Sequence, residues 1–132
     1  MEKHDNTALS KSLAQYLKES SAIEAELTVT ETAYQEAVET LLPIALGDTG
    51  QSEPAANLLL SLYNSFHYHF PLVDLCRLDL KLVRSALIAM RGRVLLGIEP
   101  HDVITNGEAR FDALEAEWEH LHVNNRYNRN GR

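Results

Sequence analysis

Residues 47–63, Gly47-Asp48-Thr49-Gly50-Gln51-Ser52-Glu53-Pro54-Ala55-Ala56-Asn57-Leu58-Leu59-Leu60-Ser61-Leu62-Tyr63, place a tight turn directly before a helix start. Ser52 offers a capping hydroxyl, Glu53 an acid for the first turn, and Pro54 a ring where no backbone donor is needed. Ala55, Leu58, Leu59, Leu62, Tyr63 and Phe66 then fall at helical spacing. Pro71 ends that run, because the residue before a proline avoids the helical region. Gly47 offers the left-handed residue that closes a preceding helix, and Gly50 a second positive φ. The stretch predicts a helix, a turn and a second helix, and it sets the reading of the flanks.

Upstream, Tyr34, Ala37, Val38, Leu41, Leu42 and Ala45 form one apolar stripe, with Thr28 and Glu31 at capping-box spacing ahead of it. Pro43 removes the hydrogen bond to the Glu39 carbonyl and predicts a kinked last turn. Further back, Leu9, Leu13, Tyr16 and Leu17 mark a first helix, capped by Asp5 or Asn6 and interrupted at Ser20-Ser21. Downstream, Asp79 caps a helix with the stripe Leu80, Val83, Leu87, Met90 and Val94, stopped by Gly97. Asn106 opens a last helix with Phe111, Leu114, Trp118 and Leu121 on one face.

No two-residue alternation and no internal repeat accompany these periods, so the expected fold is all-α, a compact bundle of about five helices. Residues 1–30 read as an N-terminal helical extension and residues 31–122 as the core domain. Residues 123–132 read as a flexible, disordered tail, since their three arginines sit in no apolar period. With 132 residues, 45% of them apolar, one self-sufficient core is expected.

The single cysteine, Cys76, excludes an intramolecular disulfide, and the start Met1-Glu2-Lys3-His4-Asp5-Asn6 lacks the apolar run of a secretory signal. A cytoplasmic location follows as the expectation. Apolar runs such as Leu58 to Leu60 fall far short of the roughly 20 residues that span a bilayer, so no membrane segment is expected.

Charge is unevenly placed. Net charge is −7, and residues 1–60 alone carry three lysines against ten acids. Residues 77–93 carry Arg77, Lys81, Arg84, Arg91 and Arg93 against Asp79. Arg77, Lys81, Arg84 and Arg91 fall within about 80° of one another on a helix and form a basic face. Glu108, Asp112, Glu115 and Glu119 form an acidic counterpart on the last helix. Solvated faces are one reading of these stripes. Pairing between protomers of a homodimer, or engagement of a foreign protein, is the other. Direct nucleic-acid binding is disfavoured, because the rest of the domain repels phosphate and no aromatic RNA signature or zinc finger is present.

Catalytic patterns are weak, and the expectation is a non-enzymatic protein without cofactor or metal. The glycines at 47 and 50 do not make a phosphate loop: the turn joins helices, lacks a lysine, and carries Asp48 and Glu53. His67 and His69, like His120 and His122, are two residues apart and diverge on a helix, so neither pair chelates there. If residues 67–70 are extended, His67 and His69 share a side, but no further ligand pattern joins them. Cys76 stands between Leu75 and Arg77 and reads as a buried, inert thiol.

The stretch Leu41-Leu42-Pro43-Ile44-Ala45-Leu46-Gly47-Asp48-Thr49-Gly50-Gln51-Ser52, followed by Ala56-Asn57-Leu58-Leu59-Leu60 and Tyr63-Asn64, resembles an uncharacterised family of small proteins from bacterial plasmids and integrative elements. The resemblance spans residues 38–121, and its specific part is the Gly-Asp-Thr-Gly-Gln-Ser turn. It departs from the family at Leu62 and Tyr63, where members carry tryptophans, and at Pro43. It implies no activity, only the setting of a mobile element.

In that setting the expected role is a protein-binding accessory factor. One form is inhibition of a host nucleic-acid-handling defence complex, through an acidic surface that includes Glu31, Glu36 and Glu39. The alternative is a DNA-binding accessory regulator that uses Arg77, Lys81, Arg84 and Arg91.

Overall fold

Thr30, and not Thr28, opens the helix that organises the core: its hydroxyl accepts from the Ala33 amide at 3.0 Å. Thr28 turns the other way and donates to the Glu24 carbonyl, closing the preceding helix. The computed structural model describes the backbone of residues 2–127 and the side chains of residues 7–127. In chain order the helices are α1 (Glu2–Leu27), α2 (Glu31–Ala45), α3 (Ser52–Tyr63), α4 (Leu80–Arg91), α5 (Gly107–Glu117) and α6 (Val123–Arg126). Short 3₁₀ turns occupy Leu72–Arg77 and Glu119–Leu121, and a π turn at Gly92–Leu96 extends α4. Among the described residues there is no strand, and the fold is all-α.

α2 is the central element, packed against both α3 and α4, and α5 packs against α3 and reaches α2 through Arg110 and Glu39. The expected stripe of Tyr34, Ala37, Val38, Leu41, Leu42 and Ala45 is buried in full. Pro43 lies on the exposed face of α2, which continues two residues beyond it to Ala45. In α3 the run from Pro54 to Leu60 is buried on every side, so this helix is the middle layer of the body.

α4 contradicts its expected stripe. Leu80 is 86% exposed and Val94 76%, whereas Leu82, Ser85, Ala86 and Ala89 face the core. Small side chains let α2 and α4 approach closely, and Gly92 completes that seam beneath the ring of Tyr34. The Tyr34 hydroxyl donates to the Ile98 carbonyl at 2.7 Å, and burial pushes its phenol well above the ordinary value. Asp79 caps α4 as expected, accepting from the Leu82 amide at 3.0 Å, and Gly97 ends the extended helix with φ +69°.

The turn of residues 47–52 has its own chemistry. Neither Gly47 nor Gly50 takes a positive φ. Ser52 does not cap α3: it is the first residue of the helix, fully buried, and its hydroxyl accepts from the Thr49 amide at 3.0 Å. The helix ends at Tyr63, short of Phe66, which is 87% exposed. Beyond it Tyr68 is buried, and Asn57 donates to the His69 carbonyl at 2.7 Å, tying residues 64–71 to α3.

Asn106 precedes α5 with φ 54° and makes no side-chain cap. Phe111, Leu114 and Leu121 are buried as expected, and the Trp118 indole donates to the Ala45 carbonyl at 2.7 Å. Residues 123–126, expected to belong to the tail, are instead tied to the body. Val123 donates to the His67 carbonyl at 2.8 Å, His122 caps α6, and Arg126 bonds the His69 carbonyl. Residues 128–132 of that tail lie outside the described residues.

Candidate interaction surface

α1 begins at Glu2 and so contains Asp5 and Asn6, whose side chains lie outside the described residues. It passes through Ser20-Ser21 without a break. Its stripe does not reach the core: Leu9, Leu13, Tyr16, Leu17 and Ile23 are all more than half exposed. The sequence carries the helical period, but the body offers it no seat.

Among the described residues, α1 meets the body at its C-terminal end. There Ile23, Glu24 and Leu27 face Leu95 and Leu96 of the π turn across a groove of about 480 Å³. A smaller recess of about 210 Å³ continues it between Leu27, Met90, Arg91, Val94 and Leu95. Half or more of a 26-residue helix, together with Val94 and Leu95, forms an uncovered apolar face. Apolar surface gathered in this way marks a binding region more often than single scattered residues do.

The charged stripes are divided by their partners. Arg77 pairs with Glu53 at 2.9 Å and with Asp74 at 3.7 Å, which draws it into the body's own surface. Lys81, Arg84 and Arg91 are exposed and make no ion pair among the described residues. Glu31 and Glu36 are exposed, but Glu39 is bound by both terminal nitrogens of Arg110, at 2.6 and 3.0 Å. The hydrogen bonds from Arg110 hold the Glu39 carboxyl below its usual range. Of the expected acidic trio, two members remain open. On α5, Glu115 accepts from the buried Tyr68 hydroxyl at 3.1 Å, while Glu108, Asp112 and Glu119 are exposed.

The histidines are held by separate contacts. His67 stacks on His122 with ring centroids 4.6 Å apart, and His69 bonds the Tyr127 hydroxyl at 3.2 Å. His101 packs edge-on to Tyr63, and Asp48 is exposed in its turn. No ring or hydrogen-bond contact links any two of His67, His69, His101 and Asp48. Among the described residues no three His, Cys, Asp or Glu side chains are grouped to hold a metal. Cys76 is exposed, against the expectation of a buried thiol, because the 3₁₀ turn points it outward while Leu78 turns in. No helix among the described residues is long and apolar enough to cross a membrane.

The turn of residues 47–52 is occupied internally. Gln51 Oε1 accepts from the Asp79 amide at 2.7 Å, and Gln51 Nε2 lies 3.4 Å from the Asp79 carboxylate. Gln51 therefore fastens the turn to the N-terminus of α4, across 28 residues of sequence. The model of a family of unknown function, DUF7673, matches residues 35–119. The chain belongs to this family. The DUF7673 match runs from within α2 through α5, includes both partners of the Gln51–Asp79 contact, and leaves α1 outside. No curated protein and no solved structure matches the chain.

The exposure of the apolar side chains of α1 was not legible, because their period is also that of a core helix. Leu95 and Leu96 carry no local signal at all, since they become a groove wall only through the π turn.

Proposed function

We propose that this DUF7673 member is a non-enzymatic, protein-binding accessory factor that works through the apolar face of α1. The observation that carries the reading is the exposure of Leu9, Leu13, Tyr16, Leu17 and Ile23 along a helix the body leaves uncovered. A helix of this kind gains most of its stability from packing an amphipathic face, so standing alone it is incomplete. The resemblance to proteins of plasmids and integrative elements supplies a mobile-element setting. A host defence complex is the corresponding target class, engaged through the acidic surface at Glu31 and Glu36 with salt-sensitive attraction.

The test is affinity capture from a bacterial lysate with the intact chain and with the double variant Leu13→Glu/Ile23→Glu as matched baits. Protein retained at stoichiometric amount by the first and lost from the second supports the reading. Equal retention by both, or none by either from a chain that also has a single-chain mass in solution, refutes it. DNA retained through Lys81, Arg84 and Arg91 instead, and lost when these are neutralised, would establish the regulator alternative.

A further inference from the structure

We infer that the apolar face of α1 is covered by α1 of a second copy of this chain, running antiparallel. The inference rests on the reading that this face binds protein, and it names the partner.

Leu9, Leu13, Tyr16, Ser20, Ile23 and Leu27 follow one another at intervals of four, three, four, three and four residues. That is the unbroken seam of a helix pair, about 27 Å long at about 1.5 Å per residue. A seam that packed against a globular body would be wider and less regular.

The two ends of the seam are complementary. Its N-terminal half presents Leu9 and Leu13, 68% and 58% exposed, as projections. The C-terminal half presents the groove between Ile23, Leu27, Leu95 and Leu96, which nothing in its own chain fills. An antiparallel two-fold seats Leu9 and Leu13 of each copy in the groove of the other. One contact, made twice, uses both features, as an isologous interface requires. In the middle it sets the large Tyr16 against the small Ser20 of the facing helix, and brings Leu17 beside its own symmetry mate.

The test uses the full chain in light scattering coupled to size-exclusion chromatography, together with disulfide trapping. The expected mass is twice the 14.8 kDa of one chain, falling to one chain in Leu13→Glu/Ile23→Glu. For orientation, Leu9→Cys and Leu27→Cys are made separately in a Cys76→Ser background, then mixed and oxidised. A disulfide between the two different variants is expected. Disulfides within each variant alone would overturn the antiparallel arrangement. A single-chain mass for the unmodified protein would overturn the second copy as occupant. If that monomer still captures a foreign protein lost on Leu13→Glu/Ile23→Glu, only this inference fails; if it captures none, the protein-binding reading fails with it.

Discussion

Gly92 sits so close under the ring of Tyr34 that a methyl group there would lie 2.5 Å from Cδ2 and 2.6 Å from Cδ1. Both residues belong to the seam between α2 and the extended α4, where Tyr34 is fully buried. Neither the ring nor the backbone can yield cheaply, because the Tyr34 hydroxyl is fastened to Ile98. Gly92→Ala is expected to destabilise the fold by about 2 to 3 kcal/mol, the upper range for overpacking. Urea denaturation checks this, and an unchanged midpoint would mean that α2 and α4 are further apart.

Trp118→Phe keeps the ring and removes the indole donor to the Ala45 carbonyl. The expected cost is about 1 to 2 kcal/mol, from a part-buried carbonyl left without its partner. Thermal unfolding of the two proteins measures it.

Glu39→Gln tests the pair with Arg110 through its pH dependence. The folded carboxyl is held below its usual range, so its contribution is present above the unfolded value of about 4.3 and is lost as pH falls through the lower folded value. Because 37% of the Glu39 side chain is exposed, the contribution at neutral pH is about 0.5 to 1 kcal/mol. Denaturant midpoints of the two proteins are expected to differ at pH 7 and to converge as the pH falls through the lowered folded value.

Gln51→Ala removes the tie between the turn and the N-terminus of α4. Loss of about 1 kcal/mol is expected, since the Asp79 amide loses its acceptor while Asp79 keeps its own bond to Leu82. Native-state hydrogen exchange is expected to speed up in the first turn of α4 before it does in α2.

The stripes of α2 and α5 were legible because each is a regular helix facing one side of the core. The stripe of α4 was not. Large apolar residues usually point inward, but a close helix approach needs small ones, so Ser85, Ala86, Ala89 and Gly92 took the core and left Leu80 and Val94 outside. Tyr68, Leu78, Val103 and Ile104 are buried from irregular segments that carry no period to read. The pairing of Glu39 with Arg110 spans 71 residues, and only the folded arrangement of α2 and α5 reveals it. The period of α1 was legible, but a period alone does not say what a stripe packs against, and the exposure of Leu9, Leu13, Tyr16, Leu17 and Ile23 appears only in the folded chain.

Whether α1 serves as a covered surface is tested most directly by amide hydrogen exchange along residues 9–27 in the intact protein at high concentration. Slow exchange is expected there, becoming rapid in Leu13→Glu/Ile23→Glu while α2 to α5 keep their protection. Rapid exchange along α1 in both proteins, unchanged when captured protein is added, would contradict it.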